Sequence, residues 1–228
     1  MAIAFDDTDL DSASDVIVKY VKSKKSGYAV TPNTEILARV LCGDVKLSEA
    51  LNRADLVLCD GIGVSVAALF KGYLLRRVTG IDLAWELLSA LERENIPLYL
   101  YGSKEGVAKR AKMRLLKFFP CLEICGISCG YDDEEAVLEK ISRNEACVVL
   151  VGTSSPKQEY FSKMATERLL GKGIFFLCVG GALDVFSGDK KRAPKILRIL
   201  GLEWAYRFAK EPYRIKRFAK VLTNTKKT

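Results

Sequence analysis

The chain has 228 residues, 49% hydrophobic and 28% charged with 17 glycines, proportions that exclude a collagen, a disordered tail and a coiled-coil rod. Its charge-free stretches reach 11 residues at most (146–156 and 173–183), about half of the roughly 20 that span a bilayer, so a globular protein without a transmembrane helix is expected. The formal charge of +8 is uneven: residues 190–228 hold thirteen Lys and Arg against two acids, and residues 1–189 balance to −3.

Along the chain, short β-rich apolar runs alternate with helical patterns. A helix at 15–21 leads to a strand at 28–30 and the loop Thr31-Pro32-Asn33; helices follow at 35–41 and 48–51. A strand at 56–59 ends in Asp60-Gly61-Ile62-Gly63 and turns into an apolar helix at 64–70, with another helix at 83–91. Next come a strand at 98–101 ending in Gly102-Ser103, a helix at 107–119, a strand at 122–127 containing Gly126, and a helix at 134–141. A strand at 147–151 runs into the polar loop from Gly152 to Gln158, a helix occupies 158–169, and a last strand at 174–179 ends at Gly180-Gly181. Strands apolar on both faces and separated by helices predict an α/β fold, a mostly parallel, Rossmann-like sheet flanked by helices. In such sheets ligands bind beyond the carboxyl ends of the strands, which directs attention to those loops. The body is assigned to 1–189 and a basic helical appendage to 190–228.

The absence of histidine removes Ser-His hydrolases, His-ligated zinc and every imidazole base, leaving carboxylate, Tyr, Lys or Cys as a general base. Cys121, Cys125 and Cys129 lie at even spacing on one face of a β run and are expected to be core thiols, with no metal site. The opening MAIAFDDTDLD lacks the basic-then-apolar layout of a signal peptide, so the seven cysteines are expected to be reduced in a cytoplasm. Neither a Walker A loop nor G-x-G-x-x-G occurs.

Asp60 sits between a strand and a glycine turn, the place for a carboxylate at the ligand edge and equally for a turn or capping Asp. In RRVTGID (76–82) the Arg pair suits a phosphate, while Thr79 or Asp82 can simply cap a helix. The loop from Gly152 to Gln158 offers amides to an anion or is an ordinary capped turn.

Taken together, TPNTEIL (31–37), ADLVLCDGIG (54–63), RVTGIDL (77–83), GTSSPKQE (152–159), GGALDVFSGDKKRAP (180–194) and GLEWAYRFAKEPYRIKR (201–217) resemble the WecG/TagA/CpsF family of bacterial glycosyltransferases, in the family's order. The resemblance implies an inverting, metal-independent transfer, needing no cofactor, from a UDP-sugar donor to a polyprenyl-diphosphate-linked sugar acceptor at the cytoplasmic membrane face. Its best-studied branch moves N-acetylmannosamine onto lipid-linked N-acetylglucosamine in wall teichoic acid synthesis. By match to its motifs, Asp60 is the base, Thr31 stands beside it, and Arg77 and Gln158 contact the diphosphate or the reacting sugars. Arg207, Arg214 and Arg217 match arginines of an appendage that closes over the site. Asn33, Gly61, Gly102, Ser103, Gly152, Gly180, Gly181 and Asp184 complete the candidate substrate-binding positions. Cys59 departs from the family pattern, where many members have Pro.

Pro212 divides the appendage. Leu197, Leu200, Trp204 and Phe208 form one apolar stripe, and Ile215, Phe218, Ala219 and Leu222 form another among Arg214, Lys216, Arg217 and Lys220. Such helices suit an anionic membrane surface, or alternatively dock on their own domain or another subunit; off the membrane they support homo-oligomers. No nucleic-acid motif accompanies the charge, so no nucleic-acid partner is expected. From another class, a non-catalytic nucleotide- or phospho-ligand-binding protein with a docking tail is the alternative.

Overall fold

The computed structural model describes residues 3–199 and 202–210. Helix α1 (Leu10–Lys22) begins where the Asp9 carboxylate accepts from the Ser12 amide, and it ends on Lys19 and Lys22, charges that suit the two ends of the helix dipole. Strand β1 (Gly27–Val30) follows, then α2 (Thr34–Leu41), α3 (Val45–Asn52) and the short β2 (Leu56–Val57). Beyond it lie α4 (Ile62–Leu69), α5 (Gly80–Glu94), β3 (Leu98–Gly102), α6 (Val107–Phe118) and β4 (Ile124–Ser128). The rest comprises α7 (Glu134–Ser142), β5 (Val148–Gly152), α8 (Lys157–Arg168), β6 (Phe175–Cys178), α9 (Ala182–Phe186), α10 (Lys195–Ile199) and α11 (Glu203–Lys210). Each of the six expected strands and eight expected body helices is present with shifted ends; α9 was hidden in a glycine-flanked run too short for helical periodicity to register.

The six strands form one all-parallel sheet in the order β2-β1-β6-β5-β3-β4. One face is covered by apolar side chains of α1, α5, α6 and α9, the other by those of α2, α3, α7 and α8. β5 and β6, central and buried throughout, are the uniformly apolar runs that such burial requires. Phe175 packs into the first layer and Phe176 into the second, the period-two alternation of a strand with no wet side. Burial of each large side chain of this kind contributes about 2–3 kcal/mol.

Two sequence expectations are corrected. β2 ends at Val57, and Cys59 instead makes an isolated parallel bridge with Arg77, closed by Val78 N–H donating to the Cys59 carbonyl at 2.9 Å. Thus the residue before Asp60 is held by the segment leading into α5. Cys121 precedes β4 in an exposed turn and is not a core thiol; Cys125 and Cys129 are half-buried. The cause is that β4 starts only at Ile124, after a Pro120 turn, so the even spacing never becomes one strand face.

Helix α4 contradicts its own composition. It is uncharged and apolar on every side, a pattern ordinarily met in buried helices, yet only Val64 is buried. Among the described residues no helix is long and apolar enough to cross a membrane. Among the described residues the appendage contains two short helices, α10 and α11. The side chains of Leu200 and Phe208, and everything expected beyond Pro212, lie outside the described residues.

Candidate active site

A cavity of about 440 Å³ opens at the carboxyl ends of β1, β2, β5 and β6. Thr31 and Asn33 line it from the loop after β1, Asp60 from the loop after β2, Ser154, Ser155 and Gln158 from the loop after β5, and Gly180 and Gly181 from the loop after β6. Lys190, Lys191 and Arg192 form a further wall, and Glu203, Tyr206 and Lys210 of α11 roof it. Residues 190–193, the start of the expected appendage, therefore belong to the same cavity as the body. The reason is local: Arg192 donates two 2.6 Å hydrogen bonds to Asp82, and Ala193 is buried beside it.

The backbone of Asp60 is held in place by its neighbours at the strand ends. Its N–H donates to the Pro32 carbonyl at 3.3 Å, joining the ends of β1 and β2. Gly61 then adopts φ of +111°, a conformation that favours glycine, and turns the chain at once into α4. Burial, reinforced by the neighbouring Asp60 charge and opposed by a hydrogen bond to Ser65, pushes the Cys59 thiol upward, so that this sulfur stays protonated beside the carboxylate.

Thr31 is clamped between two elements: its hydroxyl donates to the Cys178 carbonyl at 3.4 Å, and a Cβ on Gly80 would lie 2.9 Å from the Thr31 hydroxyl oxygen. The α5 N-terminus can approach so closely because residue 80 is glycine. Asn33 caps α2, its side-chain oxygen accepting from the Glu35 and Ile36 amides at 2.9 and 3.1 Å. Gln158 is buried and ties two loops together: its oxygen accepts from Gly180 N–H at 2.9 Å and its amide donates to Glu159 at 2.9 Å. An amide has further donor and acceptor capacity, which remains for a ligand at the cavity wall.

The other expected positions divide. Gly152 sits beneath the wall, where a Cβ would come within 2.9 Å of the Gly180 carbonyl. Gly102, with φ of +143°, has no room for a Cβ against the Gly152 backbone, and with Ser103 it stands at the β3 end, away from the cavity lining. Asp184 lies behind the wall, 3.7 Å from Lys190. Arg77 also stands off the cavity lining: its guanidinium donates to the Arg198 carbonyl at 2.9 Å and lies 3.9 Å from Glu203. Arg207 lies on α11 with its side chain outside the described residues, as are Arg214 and Arg217 entirely.

Sequence reasoning missed three charged groups. Arg39, on α2, lines the cavity with a buried Nε that makes no hydrogen bond. Glu159 is 1% exposed; burial pushes its carboxyl up, against the lowering hydrogen bonds it receives, and its Oε2 has no hydrogen-bond partner. Glu203 is a buried carboxylate between Arg77 and Arg192, at 3.9 and 4.0 Å. The burial of Glu203 comes only from the tertiary structure, so its sequence position carries no signal that singles it out. Nearby, burial raises Asp82 but hydrogen bonds from Arg192 and Thr79 outweigh it, so its carboxyl lies below the ordinary range.

Among the described residues the cavity lining holds five cations, Arg39, Lys190, Lys191, Arg192 and Lys210, against three acids, Glu35, Asp60 and Glu203. Such a lining favours an anionic ligand and still leaves a carboxylate beside it. Among the described residues no group of three or more Cys, Asp or Glu could hold a metal ion.

An open parallel α/β sheet with a cation-rich cavity over its strand ends is an arrangement suited to an anionic small molecule. Residues 1–226 match the glycosyl transferase WecG/TagA/CpsF family, and the chain belongs to that family. It is of glycosyltransferase type, which implies a nucleotide-sugar donor and a sugar acceptor.

Proposed function

We propose that this chain is an inverting, metal-independent transferase that moves N-acetylmannosamine from a UDP-sugar to polyprenyl-diphosphate-linked N-acetylglucosamine in cell-surface glycopolymer synthesis. The observation that carries the reading is Asp60, a carboxylate fixed by its backbone in the lining of a cavity whose other described charges are mostly positive. The acceptor hydroxyl oxygen attacks the anomeric carbon and its proton passes to Asp60. The bond from that carbon to the UDP oxygen breaks, and UDP departs with the electron pair. A carboxylate can take the proton, and preorganised cations can meet charge on the leaving diphosphate. Lys190, Lys191 and Arg192 are the cations we assign to that charge. Gln158 and Thr31 orient the reacting sugars; Arg77 acts on the site through α11. Arg207, Arg214 and Arg217 complete the closure with the appendage on the inner membrane face.

The test is UDP release with a short-chain polyprenyl-diphosphate-N-acetylglucosamine acceptor, run across a panel of UDP-sugars with and without EDTA. Turnover with UDP-N-acetylmannosamine, unchanged by EDTA and lost in Asp60→Asn, is expected. Binding of nucleotide with no turnover on any donor would instead favour a non-catalytic phospho-ligand protein.

A further inference from the structure

The segment from α4 to the start of α5 presents an apolar surface that the described chain leaves uncovered. Ile62, Val66, Leu69, Phe70, Tyr73 and Leu74 are all exposed, Phe70 at 89% and Leu74 at 80%. Contiguous patches of this kind mark contact with something outside the monomer. The charges in the segment have one sign: residues 61–81 contain Lys71, Arg76 and Arg77 and no acid. Arg76 is paired with Asp9 and Arg77 with Glu203, whereas Lys71, between Phe70 and Tyr73, has no ion pair among the described residues.

We propose that this segment is a lipid-contacting surface, seated in the headgroup and upper acyl region of an anionic bilayer and separate from the appendage. Apolar side chains interleaved with basic ones and no acid are what such an interface favours. The same charges disfavour the other occupants. A second copy in a two-fold contact would set Lys71 near its own equivalent. The chain's own residues 211–228 carry six basic residues against one acid, and would meet like charge.

The position gives the contact a purpose. α4 starts two residues after Asp60, and its first turn abuts α2, where a Cβ on Gly63 would lie 2.5 Å from the Thr34 hydroxyl. Seated in lipid, this surface would hold the cavity rim at the bilayer, so a lipid-linked acceptor would reach Asp60 with little extraction of its chain. That last consequence rests on the proposed transferase reading, whereas the contact itself does not.

The experiment uses the full chain and vesicles of phosphatidylglycerol and phosphatidylcholine with no donor or acceptor, so a failure of the transferase reading cannot alter its result. Phe70→Asp and Leu74→Asp should each lower the vesicle partition coefficient about tenfold, since each replaces a buried apolar group by a charge. Leu170→Asp, at an exposed leucine after α8 in the connection leading to the amino end of β6, away from the α4 segment, should leave it unchanged. Phe70→Trp should show added quenching by lipids brominated on the acyl chain, compared with the unsubstituted protein, and the partition should weaken as salt rises. Absence of added quenching, with partition unchanged in Phe70→Asp, would overturn the proposal. So would a light-scattering mass that halves in Phe70→Asp while vesicle partition stays the same, which would assign the surface to a second copy.

Discussion

At the carboxyl ends of β1, β2 and β6 the loops stand apart around a charged cavity, whereas at the end of β3 the chain is closed by backbone, Gly102 lying against Gly152 with no room for a Cβ. Both places carry the strand-then-glycine signature that marks a ligand edge. The difference teaches that glycine at a strand end has two uses: at Gly61 it frees the turn that presents Asp60, and at Gly102 it lets two loops touch. Side-chain charge, not the glycine, separates the two.

Substitutions on each side should break this comparison in different ways. The largest effect is expected at Asp60→Asn, which keeps the shape of the side chain but cannot take a proton: turnover should fall about 100-fold to 10,000-fold while the thermal unfolding midpoint stays unchanged. Wild-type turnover would remove Asp60 from the chemistry. At the closed side, Gly102→Ala should leave catalysis per folded molecule intact but cost about 3 kcal/mol of stability, from overpacking against Gly152 and a positive φ, read as a lower denaturant midpoint. An unchanged midpoint would mean that the two loops are free to separate.

A smaller effect should come from the roof. Glu203→Gln removes the charge that gathers Arg77 and Arg192, so α11 should loosen: Trp204 should become more accessible to acrylamide in a Trp85→Phe background, and kcat/KM should drop about tenfold, or ~1.4 kcal/mol. If Arg77 acts through Glu203, the Arg77→Ala and Glu203→Gln losses will be strongly non-additive. Additive losses would show Arg77 acting on the ligand independently of α11.

The smallest effect is a slope. Burial raises the Glu159 carboxyl in the folded state, so the folded protein holds a proton that the unfolded chain has released. Stability from this group is fully present below the ordinary glutamate value and is lost as pH rises toward the raised one. Glu159→Gln should flatten that fall in a series of denaturant midpoints from about pH 4 upward. An unchanged slope would show that Glu159 does not titrate within the series.

The membership of six strands, their burial, and the helices between them were legible because period-two and helical patterns are local and survive in any tertiary setting. So were caps such as Thr79 on α5 and the concentration of positive charge after residue 189. Thr31, Asp60, Gln158, Gly180 and Gly181 were found from the strand-end rule and motif resemblance and do line one cavity. What no local pattern carries is which strand ends become neighbours. Pairing β1 with β6 is decided by contacts across more than a hundred residues, and it is this order that brings Asp60 to the loop holding Gln158 and leaves Ser103 aside. Arg39, Glu159 and Glu203 were illegible for the same reason: each reads as an ordinary surface charge on its own helix until another element covers it. α4 is the converse, apolar in sequence yet exposed, because burial is set by what packs against a helix and not by the helix alone.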